Sequence, residues 1–572
     1  MVRRDNDNAI QTNYSMWLCL LLLPFYAVVL LRTAWVSDDA YITLRTIDNF
    51  VNGYGLRWNI AERVQSFTHP LWMMLITIPY FFTREPFYTV ISLSLILSLF
   101  TVAILVFRCR ANPMAVALGL LALIFSKAFI DYSTSGLENP LMHLLVVVFA
   151  LLLEEDRVDE KRLFLIGLTA GLGVLNRMDT LLFFIPGLLL TLKRFGRLRG
   201  LWIMALSFSP FFLWELFSIF YYGIPYPNTA LAKLNTGIPG SELALQGLRY
   251  FRNSMRWDPL TLVVIFFGLV LAGVRRRPRE VCLGLGVLFY LLYVIRIGGD
   301  FMSGRFFSMC FLIAVVMLMR LDFLNLRCLE WAFFAVTILL GFIAPLPTVL
   351  SDSDYGLKRM NLVDRYGIAD ERRFYFSNSG MFNGFPGWTR PTHMVMKRGQ
   401  LLRRNGIPLT IEDVVGAVGY YAGPHVHIVD NYALCDPLLA RMPMVESDPV
   451  YMNWIIGFEN QKPERPWRIG HFRRALPPGY LKTIAAARNQ IQDPEMAALY
   501  DRLTLVTRAP LWDWQRLIEI IRMNCGSDSK LSNHSRPPYR GIDWNEIGPA
   551  LPDSALRSSH FGATTMGSPP EK

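Results

Sequence analysis

Apolar residues in this chain come in runs of up to about twenty, separated by short polar loops, through the first 350 positions. The pattern is neither alternation nor one apolar helical stripe. A run of about 20 apolar residues spans a bilayer core. The runs lie at about 16–35, 87–107, 113–130, 138–153, 163–176, 180–192, 200–222, 259–274, 280–297, 306–320 and 328–349. They predict a polytopic α-helical membrane protein with about eleven transmembrane helices. Residues 69–82 (HPLWMMLITIPYFF) are apolar too, but only fourteen long. That length predicts a helix lying in the interface.

Charge decides between crossing and non-crossing readings of 69–82. With the N-terminus inside and 69–82 not crossing, the inward loops carry Arg108 and Arg110; Arg157, Lys161 and Arg162; Lys193, Arg194, Arg197 and Arg199; Arg275 to Arg277 and Arg279; and Arg320 and Arg327. Every Arg-rich short loop then falls on one side, as the positive-inside rule requires. A crossing at 69–82 would invert all the later loops. The last span then exits outward, so residues 350 onward are expected outside, in the periplasm or its equivalent.

Residues 1–349 are accordingly read as the membrane domain, with a first periplasmic loop at 36–86. Residues 350–525 are mixed in pattern and read as a soluble α/β domain. Strands are expected at 414–420 and 426–429, and helices at 494–504 and 511–523. From 526 to 572 the chain is rich in Ser, Pro and Gly, which predicts a poorly ordered tail.

Composition agrees. The 572 residues are 53% hydrophobic and 18% charged, with a mean hydropathy of +0.31. The net charge of +12 is explained by the inward loops, so no nucleic-acid partner is implied. The seven cysteines form no CxxC pair, which gives no zinc or thioredoxin signal. Cys435 and Cys525 both fall in the expected periplasmic part, where a disulfide between them could form.

The chemistry-bearing residues gather in the outward loops. Asp38 and Asp39 follow the first span, where a carboxylate can take a proton from a hydroxyl or cap a helix. The loop continues through Tyr41, Arg45, Asn52-Gly53-Tyr54-Gly55, Asn59-Ile60-Ala61-Glu62-Arg63-Val64 and His69-Pro70-Leu71-Trp72. Further outward motifs are Ser135-Gly136-Leu137-Glu138, Asn176-Arg177-Met178-Asp179, Pro227-Asn228-Thr229 with Lys233, and Gly298-Gly299-Asp300 with Gly304-Arg305-Phe306. The C-terminal part adds Gly419-Tyr420-Tyr421, Asp436-Pro437 and Trp467-Arg468-Ile469-Gly470-His471.

Over residues 30–500 these motifs resemble those of GT-C membrane glycosyltransferases. The likeness is to the terminal arabinofuranosyltransferases of the mycobacterial cell wall and the related type IV pilin arabinofuranosyltransferases. The chain departs from their pattern at Ala61, where glycine is usual, and at Ile224, where an acidic residue is common. The resemblance implies transfer of arabinofuranose from a polyprenyl-phosphate donor to a periplasmic glycan or pilin-like acceptor. It makes Asp38 and Asp39 the catalytic candidates, with a slight preference for Asp38. Tyr41, Arg45, His69, Glu138, Arg177, Asp179, Asn228, Lys233, Asp300 and Arg305 become substrate-binding candidates. The leaving phosphate needs positive charge, for which Arg177, Lys233 and Arg305 are first in line.

No Walker loop or Rossmann fingerprint is present, in keeping with a lipid-linked rather than a nucleotide-linked donor. No metal ligands are assigned. A divalent cation stays open as a cofactor, although Asp352-Ser353-Asp354 reads better as a solvated linker. Two alternatives remain: a GT-C transferase for another lipid-linked sugar such as mannose, and a lipid or sugar transporter. A transporter more often shows internal repeats and midplane charges; here the polar motifs gather at one face.

Overall fold

A computed structural model describes residues 17–19, 21–109, 113–321, 327–351, 363–383, 393–446 and 464–525. The tail from 526 and the Asp352-Ser353-Asp354 stretch lie outside them.

Each apolar run contains a helix, and local chemistry sets its breaks. Pro86–Arg108 starts after Glu85, whose carboxylate accepts from the Phe87 and Tyr88 amides. Run 113–130 is split into Pro113–Phe125 and Lys127–Tyr132, because Ser126 turns to accept from the Phe129 amide. Run 200–222 is likewise two helices, Arg199–Ser207 and Ser209–Tyr222, bent by 56°. By length and composition, Pro86–Arg108 and Pro278–Arg296 are the two described helices that reach across a bilayer alone, or four if each bent pair counts as one.

Exposure follows lipid rather than water. On Pro86–Arg108, Ile96, Phe100 and Phe107 are 63%, 54% and 67% exposed, while Ser94 and Ser98 on the other face are buried. Ser98 donates to the Ser133 carbonyl at 2.9 Å. Large apolar side chains outward and hydroxyls inward is the pattern a hydrocarbon solvent selects. The chain is a helical membrane protein.

The connecting loops separate to the two ends of the bundle. At one end Arg320 and Arg162 pair with Glu154 and Glu155, Arg194 lies 2.9 Å from Asp156, and Arg279 donates to the Glu154 carbonyl at 2.7 Å. At the other end lie the aspartate-bearing loop and the motifs around Glu138, Arg177 and Arg305. The fourteen-residue helix Pro70–Thr83 begins and ends at this second end. Trp72 donates to the Gly136 carbonyl at 2.9 Å, and Arg84 donates to the Asn52 side chain at 3.1 Å. A helix that returns to the loop it left runs along a surface.

Several helices escaped the sequence reading, among them Asn228–Leu234, Glu371–Ser379, Met394–Arg404 and one long polar helix. Gly240–Trp257 precedes the apolar helix Pro259–Arg275 at 113°. Its period is helical but its content is polar, so a search for apolar runs passes over it.

The C-terminal part holds a two-stranded parallel sheet, Leu409–Glu412 against His427–Asp430, with Leu409 opposite His427. The strand expected at 414–420 is instead the helix Gly416–Ala422. Its β-branched residues suggested a strand, but two glycines decide otherwise. A Cβ on Gly416 would sit 1.9 Å from the Asp38 carbonyl oxygen, and one on Gly419 would sit 2.8 Å from Trp58. The segment packs against the first loop more closely than side chains permit. Helices Pro494–Arg508 and Trp514–Cys525 stand where the pattern placed them. Cys435 and Cys525 are both free thiols, so the disulfide that their location allowed is not formed.

Cys435 is 1% exposed and Cys109 is also buried, whereas Cys525 is exposed. Topology is therefore testable at Cys525. A membrane-impermeant maleimide should label it in intact cells, and Cys525→Ser should remove that label. Labelling only after permeabilisation would reverse the expected orientation.

Candidate active site

The aspartate pair opens the helix Asp38–Val51, behind Ser37, which accepts from the Ala40 amide at 3.4 Å. Neighbours on a helix point about 100° apart, and the two carboxylates go different ways. Asp38 accepts from the amides of Gly416 at 3.0 Å and Ala417 at 2.8 Å. Burial pushes its carboxyl up to about 7; the Ala417 amide opposes this, Asp39 adds to it and the Gly416 amide opposes it. Asp38 thus clamps the first loop to the C-terminal part.

Asp39 is partly open and has no protein hydrogen-bond partner among the described residues. Burial raises its pKa, Lys233 and Arg305 oppose the rise, and Asp300 and Glu138 add to it. All four lie close enough to act on its charge. The geometry therefore reverses the preference for Asp38 as the reactive carboxylate.

Glu138 is the hub of that cluster. It has no exposed surface. Arg177 reaches it at 2.8 Å, Arg305 at 2.9 Å and His69 at 3.3 Å. Burial works against its charge, but Arg305, Arg177 and His69 hold its carboxyl well below the usual carboxylate range. His69 also contacts the Thr43 hydroxyl at 2.8 Å, one helical turn beyond Asp39. Burial lowers the His69 pKa to about 4 despite Glu138, so its ring is neutral at pH 7.

The cations divide by what already occupies them. Arg177 gives two nitrogens to Asp179, at 3.0 and 2.5 Å, and its third to Glu138. It orients Glu138, and each of its three nitrogens already donates to a carboxylate. Arg305 binds Glu138 and lies 3.5 Å from Asp300, while its Nε has no partner. Lys233 has no carboxylate within ion-pair distance among the described residues. Its ammonium lies 5.7 Å from the centre of the Phe301 ring. Lys233 and Arg305 are thus the cations with capacity for an anionic ligand.

Three other candidates prove structural. Arg45 is buried, donates to the carbonyls of Trp58, Gly419 and Val426 at 2.8 Å each, and stacks on the Trp58 ring at 4.2 Å. Asn228 donates to the carbonyls of Ala433, Leu434 and Asp436 at 2.9–3.1 Å. Tyr41 is buried, edge-on to Tyr420 at 5.7 Å and tilted to Tyr421 at 5.9 Å. All three side chains are buried. Each joins an outward loop to the C-terminal part, a role that one-dimensional spacing cannot reveal. Among the described residues no three His, Cys, Asp or Glu side chains converge as metal ligands.

The structure adds Glu371, Arg468 and His471 to the same cluster. Arg468 lies 3.7 Å from Glu371 and 5.4 Å from the Phe301 ring centre, and His471 packs edge-on to Phe301 at 4.3 Å. The Trp467–His471 stretch carried a signal in the sequence. Glu371, an isolated acid on a short helix, carried none.

No family model matches the chain. The terminal β-(1→2)-arabinofuranosyltransferase of Mycobacterium tuberculosis is 32% identical over 323 residues, covering 47% of this chain and 50% of that protein. The chain is similar to terminal β-(1→2)-arabinofuranosyltransferases. The enzyme of the same description from Corynebacterium glutamicum is 24% identical over 562 residues, covering 82% of this chain and 79% of the relative. The match to the mycobacterial relative thus spans about half of that protein's length. Among solved structures, ArnT from Cupriavidus metallidurans bound to undecaprenyl phosphate aligns with 79% of this chain and 87% of its own, at 13% identity and a TM-score of 0.43.

The division between clamps and cavity residues predicts opposite stability effects. Arg45→Ala strands three buried carbonyls, each worth about 1–3 kcal/mol when left unpaired. It should lower the thermal unfolding midpoint of the detergent-purified protein by several degrees, while Lys233→Ala leaves it unchanged. An Arg45→Ala protein of undiminished stability would return Arg45 to the list of ligands.

Proposed function

We propose that this chain transfers arabinofuranose from a polyprenyl-phosphate arabinofuranose donor to a hydroxyl of a periplasmic glycan or pilin-like glycoprotein. The observation that carries the reading is Asp39, a carboxylate without a hydrogen-bond partner beside the two cations that retain binding capacity. The sequence similarity to arabinofuranosyltransferases over 82% of the chain supports the choice of sugar. The proposed setting is a bacterial inner membrane, crossed by about eleven helices, with the working face and residues 350–525 on the periplasmic side. Gathering of the Arg-rich loops at the opposite end of the bundle supports that orientation. The isoprenoid tail would lie among membrane lipids, with its phosphate at the outer interface.

In this reading Asp39 takes the proton from the acceptor hydroxyl. That oxygen bonds to the anomeric carbon as the bond from this carbon to the phosphate oxygen breaks. The polyprenyl phosphate leaves with its charge against Lys233 and Arg305. Glu138 holds Arg305 in place and is itself held by Arg177 and His69. Asp300, whose carboxylate accepts from the Phe301 amide at 2.8 Å, keeps the loop of Arg305 in register. No step is routed through a divalent metal ion, and the assay run with EDTA and then with magnesium tests whether one is required.

The test uses purified protein with synthetic decaprenyl-phosphate arabinofuranose and, in parallel, the mannose analogue. Asp39→Asn should cost about 10²–10⁴-fold in transfer while leaving folded protein in the membrane. Lys233→Ala and Arg305→Ala should each weaken donor use by about 1.5–3 kcal/mol, the worth of a charge-assisted bond. Near wild-type transfer by Asp39→Asn would end this mechanism, and preference for the mannose donor would end the assignment of the sugar.

The proton-accepting form of Asp39 is the ionised one, and burial raises its pKa. Activity should therefore fall with decreasing pH through an acid limb above that of an ordinary aspartate. A kcat/KM profile flat down to the usual aspartate range would assign the base elsewhere.

A further inference from the structure

The C-terminal part brings further polar groups close to Asp39 and Asp300, and the donor chemistry does not use them. Their central element is the helix Glu371–Ser379. The chain is fastened at both ends of this helix to the loops that carry the reacting groups. Before it, Ala369 donates to the Phe301 carbonyl at 2.6 Å and accepts from the Ser303 amide at 2.9 Å, next to Asp300 and Arg305. After it, Gly380 bridges Trp35, and Met381 donates to the Ala34 carbonyl at 2.9 Å, just before Asp38 and Asp39. Glu371, in the first turn, is therefore set by backbone pairing against both catalytic loops.

The side chains around it are suited to hydroxyl groups. Arg468 is fixed by its own bond to the Gly367 carbonyl at 2.8 Å, and its Nη2 stands 3.7 Å from the Glu371 carboxyl. That gap is longer than a hydrogen bond, so both groups keep capacity for a third partner. The Phe301 ring is shared by Arg468 and Lys233, at 5.4 and 5.7 Å from its centre. His471 packs edge-on to Phe301 and to Tyr432, at 4.3 and 4.9 Å. A strip of polar groups over aromatic rings thus runs from the donor cations to Glu371. Burial raises the Glu371 carboxyl to about 8, with Arg468 opposing and Asp39, Asp38 and Asp300 adding. A protonated carboxyl both donates and accepts hydrogen bonds, which fits a hydroxyl group.

We infer that Glu371 and Arg468 form the acceptor subsite, holding hydroxyls of a glycan so that one of them meets Asp39. This rests on the transferase reading above and adds the residues that hold its acceptor. A residue that holds only the acceptor lowers the acceptor KM and leaves the donor untouched. Arabinose release from the donor to water, without acceptor, isolates the donor side.

The experiment uses the full chain in nanodiscs with decaprenyl-phosphate arabinofuranose, and octyl arabinofuranoside as the acceptor probe. Glu371→Gln and Arg468→Lys should each raise the acceptor KM about tenfold or more, with donor KM and release to water within about twofold of wild type. Glu371→Asp should recover part of the loss. An unchanged acceptor KM in both variants overturns the subsite while wild-type transfer stands. A parallel loss of donor KM and of release to water overturns it too, since Glu371 would then be supporting the whole cavity. A wild-type protein that neither releases nor transfers arabinose overturns the transferase reading, and the subsite with it.

Discussion

A carboxylate with no exposed surface has to be neutralised or paired, and Glu138 is paired. Removing a charge of this size from water costs several kcal/mol. The cost is offset here by two guanidiniums from separate loops and the ring of His69 from a third. The four loops are therefore placed by one electrostatic requirement. Asp39 and Lys233 are not part of that closed set. Together with the unpartnered Nε of Arg305, they are the groups that keep capacity for a substrate.

A second constraint acts between the membrane helices and the C-terminal part. Arg45 reaches carbonyls at 419 and 426, Asp38 reaches amides at 416 and 417, and Asn228 reaches carbonyls from 433 to 436. Each is a buried polar group satisfied across hundreds of residues of sequence. Buried carbonyls and amides left without partners are costly, so the first loop and the C-terminal part stabilise one another. The site is complete only when both are in place, since the C-terminal part supplies Glu371 and Arg468.

The same logic explains why polar residues in loop motifs serve two ends. Asp38 and Asp39 are chemically identical and adjacent, yet one docks on a helix start and the other faces the cavity. Arg177 and Arg305 both sit in Arg-and-Asp motifs, yet the first is fully engaged by Asp179 and Glu138, while the second keeps a free Nε. Pairing in space assigns these roles.

The sequence by itself determined the apolar helices, the short helix at 70–83 and the motifs that surround the site. Apolar run length and loop charge are local quantities, and lipid reads them residue by residue. It also marked eight residues that meet in the cavity, because charged side chains are rare beside a membrane unless something holds them there. It did not separate Arg45, Asn228, Tyr41 and Asp38 from that set, and it gave no sign of Glu371. Those assignments depend on which backbone amide or carbonyl arrives from a distant segment. The helix at 416–422 was misread for the same reason: its glycines serve a close approach to Asp38 and Trp58. Only the tertiary structure decided these points, because a buried polar group takes its role from its partner, and the partner is not its neighbour in sequence.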